Sequence, residues 1–305
     1  MVSEKRRSNT ESRGLNTITA YILPVINLSA ILLILLTPLP GYSWEIGGLF
    51  KNVDCIISTP SGDYIFVSSI NGSPRAKNSK GYISKVASDG SSVNLKFIDG
   101  SEYGYTLHAP KGMAIRDSVL YVTDIDFVRG FHVEQGINVA NINLAPYGAK
   151  GLNDIAVDKE GNLLVTDTLT GRIFKIDRET EEITIFLHSP MIQTPYGISV
   201  LPTGAILVSS YIDGTIWLLD NKKLTKLWED KNGLMNAYGI DYDRQGNIYF
   251  SDFTYDKIYI LNWKGEITPL QDNFNQPVKI CLDRKNNILF VPEYGAHRVK
   301  AIKLK

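Results

Sequence analysis

Histidine and cysteine are scarce in this chain of 305 residues, and the common catalytic motifs built on them are missing. No cysteine–histidine arrangement suits nucleophilic catalysis, and neither a phosphate-binding glycine loop nor a Gly-x-Ser-x-Gly elbow occurs. The four histidines lack the paired spacing of a zinc site; they are His108, His132, His188 and His297. The sequence therefore carries no histidine zinc motif and none of the motifs that mark P-loop proteins or α/β-hydrolases.

Excess charge of either sign is also missing, since 32 basic residues balance 32 acidic ones. Without a basic stripe, nucleic acid is not an expected partner. No window after the N-terminal segment carries the apolar stripe of an amphipathic helix. The remaining signal is short apolar segments separated by turn residues, which is typical of an all-β protein.

The N-terminal segment differs from the rest of the chain. Basic residues precede an uncharged stretch over residues 18–40, which ends at the small residues around Ser43; the basic residues are Lys5, Arg6, Arg7 and Arg13. This pattern predicts a signal peptide over residues 1–43, with an uncleaved signal anchor as the alternative. In both cases residues 44–305 are expected outside the cytoplasm, periplasmic or secreted, with membrane contact only through the uncleaved segment.

A repeat of three strands organises residues 44–305. Its openings stand at residues 110, 152, 195, 237 and 277, so the steps are 42, 43, 42 and 40 residues. A period of about 40–45 residues with several strands per unit is typical of a β-propeller blade. A sixth opening at residues 53–57 lies farther upstream because of an insertion at Ser69–Lys80, which is either a lid or a solvated loop.

The last repeat supplies only three strands, so its fourth must come from elsewhere. Residues 44–50 can provide it and so close the ring without an unpaired edge. We predict an all-β fold: a six-bladed β-propeller with four antiparallel strands per blade, closed by the N-terminal strand. Cys55 and Cys281 fall in neighbouring blades, and two buried free thiols are favoured over a disulfide.

Functional residues of a propeller are expected where the innermost strands begin, around one end of the central channel. The positions after each opening are Asp54, Lys111, Asn153, Tyr196, Tyr238 and Val278. The first five predict a polar and aromatic pocket for a small molecule. The alternative is that these side chains only hydrogen-bond to main-chain groups and to one another, and that the tyrosines plug a narrow channel. Strand-end acids recur in the blades and are predicted to hold turns; they are Asp124, Asp167, Asp252 and Glu293.

The segments Leu152-Asn153-Asp154 and Val157-Asp158-Lys159-Glu160-Gly161-Asn162 resemble the senescence-marker-protein/gluconolactonase family of six-bladed propellers. Residues 71–74, 81–85 and 109–113 are similar to its bacterial exported subgroup, and the resemblance covers about residues 50–305. The repeat is shared with NHL-type propellers and with streptogramin lyases, but the latter have seven blades. A lactonase-like activity, with a metal-polarised lactone carbonyl, is what this resemblance implies.

The resemblance also implies one divalent cation, calcium or zinc, held by a Glu, two Asn and an Asp that doubles as the base. Here Asp54 takes the place of the Glu and Asn153 matches the first Asn, so these two are the candidate metal ligands. Tyr196 and Tyr238 take the other two places, and neither is an ordinary ligand for a hard cation. Lys111 is expected to pair with Asp54 and compete with metal.

The sequence thus predicts an exported propeller that binds a small polar ligand at the channel end, with a degraded family metal site. One alternative is a divergent metal-dependent hydrolase or lactonase. Another is an NHL-like platform for a protein partner, reached through the exposed loops. Catalytic residues are not assigned.

Overall fold

The structure, a computed structural model, describes residues 43–102, 106–233, 235–270 and 273–304. Within them, twenty-four strands form six antiparallel sheets of four strands each. The predicted six-bladed, all-β propeller is confirmed. Residues 1–42, most of the predicted signal segment, lie outside the described residues. None of the described helical segments has the length and apolarity that crossing a bilayer requires.

The first three blades follow directly along the chain, from the innermost strand to the outermost. Their strands are β2 (Val53–Ser58), β3 (Tyr64–Ser69), β4 (Tyr82–Ala87), β5 (Val93–Asp99), β6 (Pro110–Arg116), β7 (Val119–Asp124), β8 (Phe127–His132), β9 (Asn138–Asn143), β10 (Leu152–Val157), β11 (Leu163–Asp167), β12 (Arg172–Ile176) and β13 (Ile183–His188). A 3₁₀ turn over Ala145–Tyr147 joins blades two and three.

Blades four to six complete the ring in the same order. Their strands are β14 (Pro195–Val200), β15 (Ile206–Ser210), β16 (Ile216–Asp220), β17 (Lys223–Trp228), β18 (Ala237–Tyr242), β19 (Ile248–Asp252), β20 (Lys257–Leu261), β21 (Ile267–Pro269), β22 (Cys281–Asp283), β23 (Ile288–Glu293) and β24 (Arg298–Lys303). The outer strand of blade six is β1 (Trp44–Gly47), which pairs antiparallel with β24. The predicted closure by the N-terminal strand is therefore confirmed.

Apolar side chains fill the spaces between blades. Seven buried clusters occur among the described residues; six large ones are each shared by two neighbouring blades, and the small seventh holds Ile70, Ala109 and Ile125. Phe174 and Tyr121, for example, meet between blades two and three. Because each sheet buries both faces against its neighbours, the inner strands need apolar residues on both faces, and their patterning is not alternating.

Short hydroxyl side chains connect the second strand of one blade to the innermost strand of the next. In five blades a Ser or Thr near the end of the second strand donates to a main-chain carbonyl at the start of the next blade. The pairs are Ser68–Lys111 (2.8 Å), Thr123–Asn153 (2.9 Å), Thr166–Tyr196 (2.7 Å), Ser209–Tyr238 (2.6 Å) and Ser251–Val278 (2.7 Å). Pro292 takes this position in blade six and cannot donate, so the seam between blades six and one is built differently.

The strand-end acids accept main-chain N–H groups from the loops that begin the inner strands. Asp124 binds the amides of His108 and Ala109 at 3.0 and 2.7 Å. Asp167 binds the amide of Gly151 at 3.0 Å, and Glu293 binds that of Asn275 at 3.1 Å. Asp252 has the same role toward Asn236 and Thr254. The prediction that these acids hold turns is confirmed.

Both cysteines are free thiols, as predicted, and Cys55 is buried. Burial, with the nearby charge of Asp154, raises the pKa of Cys55 well above its ordinary value. Burial likewise raises the pKa of Cys281 to about 12. Thiols with such pKa values are weak nucleophiles at neutral pH, so both residues act as packing groups.

Ring closure gives a test of the fold. Trp44 packs on Phe290, with ring centroids 6.1 Å apart, and its indole donates to the Ser88 carbonyl at 3.0 Å. Trp44→Ala should lower the free energy of unfolding by about 2 kcal/mol, less than a fully buried tryptophan because the ring is half-buried. Urea unfolding measures this loss.

Trp263 is the matched control, since 53% of it is exposed. Trp263→Ala should change the free energy of unfolding by no more than about 0.5 kcal/mol. Equal losses for the two variants would contradict the role of Trp44 in closing the ring.

Candidate functional site

The five predicted ligand-binding residues occupy the same position in five blades. Each is the second residue of its innermost strand, in β2, β6, β10, β14 and β18. They therefore surround one end of the central channel, which we call the channel mouth: Asp54, Lys111, Asn153, Tyr196 and Tyr238. Val278, at the equivalent place in blade six, is fully buried and brings no polar group.

Asp54 is 1% exposed and forms an ion pair with Lys279, which is 2% exposed. Its second carboxylate oxygen accepts the Tyr238 hydroxyl at 3.2 Å. The expected partner, Lys111, instead donates to the Leu152 carbonyl at 3.3 Å. The predicted Lys111–Asp54 pair is therefore wrong. Lys279 of blade six reaches the Asp54 carboxylate because the main chain at Lys279 is hydrogen-bonded directly to that of Asp54.

Lys279 was missed by reasoning from the sequence because it lies one position beyond the residues compared around the ring. At that position three blades carry glycine: Gly112, Gly197 and Gly239. The sequence signal for Lys279 was a lysine at a position where three other blades carry glycine.

Lys111 is a half-buried amine at the mouth. Burial lowers the pKa of Lys111 to about 8, and the positive charges of Lys279 and Arg75 act in the same direction. The negative charges of Asp54 and Asp124 oppose this shift without reversing it. A substantial fraction of this amine is therefore neutral slightly above physiological pH.

Asn153 is the most constrained amide of the mouth, with 3% of its surface exposed. Its Nδ2 donates to Thr168 Oγ1 at 2.9 Å, whereas its Oδ1 is buried and receives a hydrogen bond from none of the described residues. Leaving a buried acceptor unpaired costs about 1–3 kcal/mol, so such a group calls for a donor from outside the chain.

Aromatic rings form one side of the mouth. The Tyr196 and Tyr238 centroids are 4.0 Å apart. Tyr211 stacks on Tyr196 at 5.0 Å and Phe253 stacks on Tyr238 at 5.5 Å. Burial first, and then the charge of Asp54, raises the pKa of Tyr196 and of Tyr238 well above the ordinary value. Both hydroxyls are therefore neutral donors, and sequence reasoning had missed Tyr211 and Phe253.

The insertion Ser69–Lys80 is held on blade two. The Ser79 amide donates to His108 Nδ1 at 3.0 Å. Lys77 pairs with Asp126 at 2.6 Å. Arg75 in the same loop contributes to the electrostatics of Lys111, so the loop brings a cation to the edge of the mouth. Whether the loop acts as a lid stays a prediction.

The residues at the mouth do not fit a divalent cation. Lys279 and Tyr238 occupy the carboxylate of Asp54, so Asn153 Oδ1 is left as the one oxygen of the two candidate ligands that no described residue engages. Within the described ranges no three His, Cys, Asp or Glu side chains are grouped to hold a metal. Asp54 and Asn153 as metal ligands remain a prediction from the sequence, and we derive no chemical step through a metal.

At the opposite end the channel opens into a cavity of about 410 Å³. Its lining is mixed: Ile57, Ile115 and Val200 are apolar, whereas Asp154, Asp241 and Lys279 bring charges. Lys279 therefore separates this cavity from the mouth.

Comparisons with known proteins agree with this architecture. No protein-family model matches the chain. The lactonase drp35 of Staphylococcus aureus is 30% identical over 178 residues, a match covering 51% of this chain and 51% of the relative. The drp35 of Staphylococcus haemolyticus is 26% identical over 171 residues, covering 50% and 51%. The chain thus spans about half the length of the curated relatives it matches.

Solved structures extend the likeness over most of the chain. A candidate gluconolactonase superposes with a TM-score of 0.63 at 15% identity, covering 88% of this chain and 94% of its own. The chain is therefore similar to lactonases over about half its length, and to the candidate gluconolactonase in its fold. Virginiamycin B lyase from Staphylococcus aureus has a TM-score of 0.61 at 16% identity, covering 87% and 99%. At these identities the solved structures show the fold alone.

The pKa of Lys111 predicts a pH-dependent stability. Because its folded value of about 8 lies below the unfolded value near 10.4, protonation penalises the native state. The penalty is complete below pH 8 and disappears as the pH rises toward 10.4. The free energy of unfolding of Lys111→Met, relative to wild type, should therefore fall between pH 7 and pH 10 in urea titrations.

Lys111→Arg is the control, because its guanidinium stays charged across this range. Its penalty is the same at pH 7 and pH 10, so its stability relative to wild type should fall by the same amount as that of the methionine variant, from a level that is lower throughout. A relative stability of Lys111→Met that is independent of pH would contradict the assignment.

Proposed function

We propose that this protein binds a small polar molecule at the channel mouth. The observation that carries the proposal is Asn153 Oδ1, an acceptor that is buried at the mouth and to which no described residue donates. Native proteins rarely leave such groups unpaired, and a ligand with a hydroxyl or amine donor would satisfy this one.

The neighbouring groups define the chemistry of the ligand. The Lys111 amine, bonded only to a carbonyl among the described residues, can donate to a carbonyl or carboxylate oxygen. The exposed Arg75 adds positive charge at the edge. The rings of Tyr196 and Tyr211 offer an apolar face to a sugar-like or cyclic ligand. A hydroxylated lactone or the corresponding acid has this combination of groups.

The relatives support this class of ligand, because the curated matches are named lactonases. We therefore choose glucono-1,5-lactone and gluconate as probes. Asn153→Ala should weaken the binding of whichever probe binds by about tenfold, the value of one to two hydrogen bonds. Isothermal titration at pH 6 measures the dissociation constants.

Asn162→Ala is the matched control. Asn162 is also buried in blade three, but its amide bonds to Asp158 at 2.8 Å, in the turn between β10 and β11. This variant should lose stability and keep its affinity. Equal affinities of the Asn153→Ala variant and wild type, or no binding of either probe by the wild type, would count against the proposal.

Lactone hydrolysis is a second candidate function, favoured by the same curated relatives and by the depressed pKa of Lys111. A neutral amine with a pKa of about 8 can take a proton from water as the water attacks the lactone carbonyl. The Tyr196 and Tyr238 hydroxyls lie on the same mouth and remain protonated donors.

This candidate has a direct test. Ring opening of glucono-1,5-lactone should proceed in EDTA, should rise with pH around a midpoint near 8, and should be lost in Lys111→Met. Spontaneous hydrolysis measured at each pH without protein is subtracted. Activity that EDTA abolishes, or that Lys111→Met retains, would refute this mechanism.

A further inference from the structure

Blade six places a lysine at a position of the channel where space is limited. Three other blades carry glycine there, and a Cβ on one of them, Gly239, would lie 2.6 Å from the Lys279 Cα. The inner strands approach so closely that this layer of the channel accommodates few side chains. Lys279 is one of them, and its ammonium points toward Asp54.

The surroundings of Lys279 are suited to a fixed cation. Its Nζ pairs with Asp54 and lies 5.4 Å from the ring centroids of both Tyr196 and Tyr238. Both members of the pair are almost fully buried. A buried carboxylate and two aromatic faces are the partners that stabilise a cation out of water.

The main chain holds this pair in place. Pro292 supplies no hydroxyl to the seam, and Lys279 N instead donates to Asp54 O at 3.0 Å. Ile56 N donates in turn to Lys279 O at 3.3 Å, and Cys55 and Lys279 form a parallel bridge. The main chain at Lys279, just before β22, is therefore hydrogen-bonded directly to β2, whereas the other five blade junctions carry a Ser or Thr hydroxyl.

We infer that Lys279 is a built-in cation of the channel mouth: it takes the place on Asp54 that a divalent ion would need, so that the mouth is organised without a metal. This inference concerns the protein without ligand and does not depend on the proposed function. It accounts for a carboxylate that is fully buried beside an ammonium and, within the described ranges, belongs to no group of three His, Cys, Asp or Glu side chains.

Replacement of the lysine tests the inference. Lys279→Gly introduces the residue that three other blades carry and leaves Asp54 buried without its partner. Its thermal midpoint should fall by roughly 10 °C, the effect of an unpaired buried charge in a domain of this size. Ethylammonium chloride should reverse much of this loss in a saturable manner, entering from the cavity that Lys279 borders. Sodium chloride at the same concentration is the control.

The double variant Lys279→Gly/Asp54→Asn separates the charge from the packing. Without the Asp54 carboxylate, and with Asp154 as the one other buried carboxylate near the lost ammonium in the described structure, it should be more stable than Lys279→Gly and should respond less to ethylammonium. If the glycine variant does not fold, Lys279→Met and Lys279→Met/Asp54→Asn give the same comparison. The methionine fills the channel, and the double variant should again be the more stable one.

The wild-type protein provides the remaining measurement. EDTA, or millimolar calcium, zinc or manganese, should move its midpoint by less than about 1 °C, because no cation binds at Asp54. A shift of several degrees that Asp54→Asn abolishes would overturn the inference. So would a Lys279→Gly variant that is no more stable when Asp54 is also replaced and that ignores ethylammonium.

Discussion

Six innermost strands converge on one axis. Where one blade meets the next, several positions have room only for the short side chain of Ser or Thr, or for glycine. This close approach explains why a Ser or Thr reaches across five of the six blade junctions. It also explains why glycine follows the mouth position in three blades, where a Cβ would meet the main chain of the next strand. The geometry of the mouth depends on this spacing.

The junction between blades six and one lacks this hydroxyl, and the ion pair at the centre of the site lies at this junction. Proline replaces the hydroxyl, the two strands bond directly, and a lysine enters the channel beside Asp54. An ammonium held by a carboxylate and two tyrosines occupies the buried centre of the mouth. The hydrogen-bonding capacity left over belongs to Asn153 and Lys111, which is why we assign ligand recognition to them.

Much of the fold follows from local pattern. The spacing of the repeat predicts the blades, and the shortage of one strand in the last repeat predicts closure by residues near Trp44, because an unpaired edge is costly. The positions of Asp54 and Asn153 around the mouth follow from the same register. The partners of these residues do not follow from it. Whether Lys111 or Lys279 reaches Asp54 depends on which blades touch, and Asp54 and Lys279 are more than 220 residues apart in sequence.

The amino-acid order alone therefore establishes a six-bladed ring and the identity of five side chains at its mouth, since repeats and strand periodicity are local properties. Only the tertiary structure decides which charges neutralise each other and which acceptor stays unpaired. Burial and distance across blades set these outcomes, as shown by the lowered pKa of Lys111 and the buried Oδ1 of Asn153. Both arise where distant strands exclude water together.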